Sequence, residues 1–121
     1  MIFVGNDIIE IDRINSFIKD NNDRGLHHIF TNSEIEYCNS RANPSIHFAG
    51  RFAAKEAVKK AMLSAYPELV LPLNYISIDN KNNGAPFVKF NQSIKSSYPC
   101  PVVSISHSQT HATAVAILEI R

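Results

Sequence analysis

A glutamate and a lysine four residues apart, Glu56 and Lys60, stand in the run Arg51-Phe52-Ala53-Ala54-Lys55-Glu56-Ala57-Val58-Lys59-Lys60-Ala61. The run holds no helix breaker and is rich in alanine, so it reads as firmly helical. At about 100° per residue, Ala53, Ala54, Ala57, Val58, Ala61 and Met62 share one half of that helix, and Phe52, Glu56 and Lys60 share the other. A carboxylate beside an ammonium can hold a divalent metal with the first and neutralise a phosphate with the second. Taken alone, the same spacing makes an exposed ion pair worth about 0.3–0.5 kcal/mol. Lys59 points away around the helix and reads as solvated, while Lys55 falls between the two faces.

Two further segments bear on the choice. Val4-Gly5-Asn6-Asp7-Ile8-Ile9-Glu10-Ile11-Asp12-Arg13-Ile14 lies near the N-terminus, and Val103-Ser104-Ile105-Ser106-His107-Ser108 lies near the C-terminus. With the central helix, these segments in this order resemble the holo-acyl-carrier-protein synthase family of small 4′-phosphopantetheinyl transferases. The shared pattern is a Gly-x-Asp-Ile first strand, an Arg-Phe-Ala-x-Lys-Glu-Ala-x-x-Lys-Ala helix and a Ser-Ile-(Ser/Thr)-His strand end.

The resemblance implies transfer of 4′-phosphopantetheine from coenzyme A to a serine of an apo acyl carrier protein, releasing adenosine 3′,5′-bisphosphate. Such chemistry needs positioning and charge neutralisation, and a diphosphate favours Mg²⁺ held by one or two carboxylates. Asp7 and Glu56 are the expected metal ligands, with Glu56 and Lys60 expected to act on the reacting groups. Glu10 stays outside the metal set. For coenzyme A the expected contacts are Lys60 on the diphosphate and Arg51, His107 and Ser108 on the 3′-phosphate side, since arginine offers a planar fork of donors. The nucleophile belongs to the carrier, and either Glu56 or a water held by the metal could take its proton. Arg13 matches the family's docking arginine for an acidic carrier helix. Lys19 and Arg24 could extend that patch, which Asp20 and Asp23 interrupt.

Two departures stand out. The family follows its helix motif with a Gly-Thr-Gly turn, but this chain has Met62-Leu63-Ser64-Ala65-Tyr66-Pro67. Without glycine, close backbone approach to a nucleotide is costly. A longer helix is expected, with Leu69-Val70-Leu71-Pro72-Leu73 rebuilding the adenine side. Asn6 replaces a Thr or β-branched residue. A non-catalytic relative that binds coenzyme A or a carrier is the alternative, although it has no need of Asp7, Glu56 and Lys60 together.

Composition fits an ordinary globular chain: 121 residues, 45% apolar and 19% charged, with net charge +1. No global field favours nucleic acid or a membrane surface. The apolar start, Met1 to Val4, is too short for a signal or a membrane span, so a cytoplasmic location is expected. Cys38 and Cys100 lack metal spacing and read as reduced core residues. His111 reads as a turn residue and His27-His28 as surface.

The elements that must position these residues follow from local patterns. Ile2-Phe3-Val4 reads as a strand entering a tight bend at Gly5. Asp12 to Lys19 has helical spacing, with Ile11, Ile14 and Ile18 on one stripe, before a break at residues 20–25. Thr31 and Glu34 form a capping box for a helix ending before Asn43-Pro44. The central helix is expected over Ile46–Ala65. Strands at Tyr75–Asp79 and Pro86–Phe90 flank an Asn82-Asn83-Gly84 turn, and a short helix is expected at Ser93–Ser97. Val102–Ser106 and Ala112–Ile120 should pair as a hairpin. The class is α+β, helices on an antiparallel sheet, in one domain spanning 1–121. The resemblance adds a homotrimer with sites between subunits, and the stripe Ala112, Ala114, Ala116, Leu118, Ile120 could lie between copies.

Overall fold

The computed structural model describes residues 1–121. In chain order it has β1 (Ile2–Glu10), α1 (Ile11–Asp20), α2 (Asp23–His27), α3 (Asn32–Asn39), α4 (Pro44–Ala65), β2 (Ile76–Asn80), β3 (Pro86–Phe90), β4 (Val102–His107) and β5 (His111–Glu119). The fold is α+β, but its strands form two sheets: a three-stranded antiparallel β1-β5-β4 and a separate β2-β3 hairpin. Helix α4 lies across the larger sheet and supplies more of the core than any other element.

Alternation decides which side of that sheet meets the helix. Gly5 and Ile9 on β1, and Ala112, Ala114, Ala116 and Leu118 on β5, are buried. Against them α4 sets Ala53, Ala54, Ala57, Val58, Ala61 and Met62, all fully buried. The small-residue stripe of β5 therefore belongs to the core of one chain and is not a surface between copies. The opposite sheet face is the exposed apolar one. Ile2, Val4, Ile8, Val102 and Ile117 lie there, with Val4, Ile117 and Val102 aligned in register across the three strands.

The first strand departs from expectation. It makes no bend at Gly5 and stays paired with β5 through Glu10. Gly5 serves close approach instead: a Cβ there would lie 2.0 Å from the Ala57 carbonyl oxygen and 2.8 Å from the Ala61 nitrogen. No side-chain movement can relieve a clash with backbone. Asp7 is thus an in-register strand residue opposite Ala114, on the same face as Gly5.

The capping box of α3 forms, with Thr31 N donating to Glu34 Oε1 at 2.8 Å. Helix α4 starts at Pro44, which suits the first helical turn. The break after α1 is narrower than expected, because Asn22 caps the short α2 by accepting from Gly25 N at 3.1 Å. Ser93–Ser97 is not helical. Asn91 Oδ1 accepts from Ser93 N at 2.6 Å, and successive turns run up to Pro99, which disfavours helix in the residue before it. Gly84 takes φ 89°, the only left-handed residue of the chain. Cys100 is exposed, not core, and neither cysteine is in a disulfide.

Gly5→Ala is expected to reduce the unfolding free energy by about 1–3 kcal/mol or more, the range for overpacking. Urea unfolding checks this; an unchanged midpoint would mean that β1 and α4 can separate without cost.

Candidate active site

Inward alternation on β1 aims Asp7 at α4, and the helix answers with Lys60. Its Nζ lies 3.3 Å from Asp7 Oδ1 and donates to the Asn6 carbonyl oxygen at 2.9 Å. Glu56, one turn earlier, forms no ion pair, so the simple Glu56–Lys60 surface pair is not made. Asp7, Glu56 and Arg13 line one cleft of about 330 Å³, whose walls are Ile8, Ile9, Ile14, Phe17, Ile29 and Phe52. Strand β1, α1 and α4 each supply part of it. Lys19 and Arg24 are exposed but do not line the cleft.

Whether a metal fits can be judged from the donors. No group of three or more His, Cys, Asp or Glu side chains converges as a metal cage. Two carboxylates on one cleft are hard oxygen donors, the number Mg²⁺ uses when a substrate's phosphates and water complete its shell. The residues present fit that ion and not a soft transition metal.

Arg51 and His107 form a second region. Arg51 is only 5% exposed. It donates through Nη2 to Asn80 Oδ1, and its Cζ sits 4.2 Å from the Tyr37 ring centroid. Its Nε has no partner, and no carboxylate pairs with it. His107 ends β4 and, like Arg51, lies close enough to His47 to lower its proton affinity. Arg51 and Glu56 are five residues apart on one helix, about 7–8 Å along its axis. Ser108 has its hydroxyl oxygen engaged in its own turn, accepting from Thr110 N at 3.2 Å and His111 N at 3.1 Å.

Lys55, unassigned from sequence, is fully buried and paired with Glu34 at 2.5 Å. Glu34 Oε2 also accepts from Ile78 N at 2.8 Å, so one carboxylate ties α3, α4 and β2. Burial pushes the Lys55 ammonium down, and Glu34 opposes that shift. Burial likewise pushes the neighbouring Cys38 thiol up to about 12, so it stays protonated. A signal for the buried lysine existed: Lys55, Val58 and Met62 fall on one helical stripe. His47, Arg51 and Lys55, spaced by four, were a similar clue to the second region.

At the C-terminal end of α4, the segment replacing the glycine turn continues as helix to Ala65. Tyr66 then packs edge-on against Tyr98, centroids 4.9 Å apart. Leu71 is buried at 2% exposure. No residue between Met62 and Leu73 takes positive φ, so the substitution of glycine carries no backbone strain.

Comparison with known proteins decides the family. Residues 3–116 match the model of the 4′-phosphopantetheinyl transferase superfamily. A holo-[acyl-carrier-protein] synthase of Protochlamydia amoebophila (strain UWE25) is 42% identical over 116 residues, covering 94% of each chain. The chain belongs to the holo-[acyl-carrier-protein] synthase family. A Helicobacter pylori holo-[acyl-carrier-protein] synthase solved with coenzyme A superposes at TM-score 0.74, with 29% identity over 93% of this chain and 96% of that one. A synthase–coenzyme A complex from Chronobacterium ammoniagenes reaches TM-score 0.81 over 100% and 98% of the two chains. At 23% identity, that likeness speaks to the fold alone. The family is one of phosphopantetheinyl transferases, and this member is an enzyme of that class.

Lys55→Met would leave Glu34 buried without its cation and should cost about 3–5 kcal/mol. Adding Glu34→Gln, which removes the stranded charge, should recover much of the loss in denaturant titration. A double variant no more stable than Lys55→Met would assign the cost to packing rather than charge.

Proposed function

We propose that this chain, as a single 1–121 transferase domain, transfers 4′-phosphopantetheine from coenzyme A to a serine of an apo acyl carrier protein, in a Mg²⁺-dependent reaction that releases adenosine 3′,5′-bisphosphate. The observation that carries the reading is the shared cleft of Asp7, Glu56 and Arg13, with Lys60 held 3.3 Å from Asp7. Family membership and the coenzyme A found in related solved structures support the substrate.

In this mechanism Asp7 and Glu56 would hold Mg²⁺, which when bound supplies neutralising charge to the diphosphate. Lys60 swings from Asp7 to the diphosphate and donates to the oxygens that gain charge as the bisphosphate leaves. The carrier's serine oxygen attacks the phosphorus attached to pantetheine, and the bond to the departing adenosine bisphosphate breaks. Either Glu56, which no side-chain cation engages, or a water in the cleft accepts the hydroxyl proton. Arg51 and His107 take the 3′-phosphate, with Ser108 contributing its turn. The axial spacing of Arg51 and Glu56 on one helix suits a nucleotide lying along α4. Arg13, exposed at the cleft mouth, faces the acidic carrier, and Lys19 and Arg24 lie farther out on the same N-terminal region.

The apolar sheet face supports a homotrimer. Ile2, Val4, Ile8 and Val102 are 62%, 57%, 66% and 68% exposed, a patch uncommon on a monomer surface. Ile8 lines both the cleft with Asp7 and the groove beside His107, so a neighbour seated on this face would border both regions. A cytoplasmic location accords with this reading; no helix is long and apolar enough to cross a membrane.

Intact mass spectrometry of an apo carrier incubated with coenzyme A and Mg²⁺ should show addition of one phosphopantetheine arm. Asp7→Ala and Glu56→Ala should each abolish nearly all of that gain while circular dichroism stays native, and Lys60→Ala should lower kcat more than it raises the KM for coenzyme A. Full activity in either carboxylate variant would remove the metal assignment. Binding of coenzyme A with no gain in any carrier would turn the reading to the non-catalytic relative.

Val4→Glu places a charge on the outer face without touching the core. Sedimentation at micromolar concentration should then shift from trimer to monomer, and transfer should fall with it. A wild-type chain that sediments as a fully active monomer would refute the shared-site arrangement.

A further inference from the structure

Around the Tyr37 ring the chain gathers positive charge and gives it no counter-ion. Arg51 lies over one part of the ring, Cζ 4.2 Å from the centroid. Arg41, on the connection between α3 and α4, has its Cζ 5.5 Å from the same centroid. His47, one turn before Arg51 on α4, meets the ring edge-on at 5.7 Å. The ion pairs of the chain are Lys55–Glu34, Lys60–Asp7 and Arg121–Glu119, and none reaches this cluster. Arg51 is buried, with its Nε unpartnered. A buried cation without a carboxylate is costly, and an aromatic face offsets only part of that cost. The cluster is therefore built to receive an anion.

His47 sits within this charge. Burial lowers its proton affinity first, then Arg51, Arg41 and His107 lower it further. These come from every element around it: its own helix, the α3–α4 connection and β4. On α3, Tyr37 offers a neutral ring, Cys38 stays a thiol, and the Glu34 carboxylate is already held by Lys55. In the free protein His47 is accordingly neutral around pH 7.

We propose that Arg41 and His47 join Arg51 and His107 in gripping the 3′-phosphate of coenzyme A, and that His47 binds a proton as the phosphate arrives, making the choice of coenzyme A over dephospho-coenzyme A proton-linked. The inference rests on the transferase reading above. A phosphate monoester brings a charge of about −1.5 to −2 into a field that had been wholly positive. It reverses the reason for His47 to stay neutral, and the imidazolium then donates a charge-assisted hydrogen bond. Because the bound form holds one more proton, discrimination strengthens as pH falls toward the range in which His47 titrates. Arginines alone would show the opposite trend, since the phosphate gains its second charge on going up through about pH 6.

The test is calorimetric binding of coenzyme A and of dephospho-coenzyme A at about pH 6 and about pH 8. His47→Gln should discriminate about five- to tenfold less than wild type at the lower pH and equal it at the higher. His47→Lys, charged at both, should restore discrimination at low pH and retain it at high pH. Arg41→Gln should weaken discrimination at both. Equal discrimination in wild type and His47→Gln at both pH values would overturn the proposal, and so would an equal loss at both. If wild type binds coenzyme A and carries out transfer but treats the two nucleotides alike, the cluster has another role and the transferase reading survives. If it binds neither nucleotide, that reading falls and this inference falls with it.

Discussion

Backbone contact between β1 and α4 at Gly5 sets the geometry on which the rest of the molecule depends. With no Cβ at Gly5, and alanine at positions 57 and 61, the strand and helix pack at a distance that larger side chains would forbid. Two residues along, Asp7 inherits that closeness and reaches Lys60. Were the strand displaced by the radius of one methyl group, the Asp7–Lys60 contact would open and the cleft shared with Glu56 would widen. The glycine thus sets the approach on which the Asp7–Lys60 contact depends. Its role is distance, not conformation, for it is a paired strand residue with ordinary backbone angles.

A second constraint works on the rotation of α4. Lys55 points to the buried side and is clamped by Glu34, which also holds the α3 N-terminus and a β2 amide. Fixing Lys55 fixes its neighbour Glu56 about 100° further round, toward the cleft. It also fixes Arg51, four residues back, against Tyr37. The pair is a costly way to join three elements, because both ions give up water. A hydrophobic replacement would hold the elements together, but it would leave the Thr31 and Ile78 amides without acceptors.

Much of the fold was legible in local pattern. The Thr31–Glu34 capping box, the long alanine-rich helix, the Gly84 turn and the C-terminal hairpin each have a signature that acts within a few residues, and each forms. What was illegible depended on tertiary partners. Gly5 looks the same whether it serves a bend or a close approach, and only α4 distinguishes them. Period two in β5 reveals an apolar face without revealing what covers it, so its stripe could be intramolecular or shared. For the candidate site, Asp7, Glu56 and Lys60 stand out in the sequence through their motifs, and the fold brings Asp7 to Lys60 and sets Asp7 and Glu56 on one cleft. Their pairing was not foreseen, since spacing favours Glu56–Lys60 while geometry gives Lys60 to Asp7. Arg41, His47 and Tyr37 went unnoticed because no single one of them is unusual; their meaning lies in sharing one ring without a counter-ion.

Placing both charged regions on one helix has a consequence for how the enzyme can vary. Between Arg51 and Lys60 the axial distance is about 13–14 Å, set by helical rise and insensitive to side-chain identity elsewhere. The surroundings of Arg51 and of Lys60 can therefore differ without losing register between the two. This chain shows such independence. At the far end, the glycine turn expected after the motif is replaced by continued helix and a Tyr66–Tyr98 contact, with no strained backbone. At the near end, Arg41 and Arg51 hold charge around Tyr37, with His47 at the ring's edge. The far-end replacement leaves the alanine face on which α4 rests undisturbed, because Ala53, Ala54, Ala57 and Ala61 all precede it. The separation of the alanine face from Glu56 and Lys60 around α4 lets the cleft side of the helix vary while the core holds it in place.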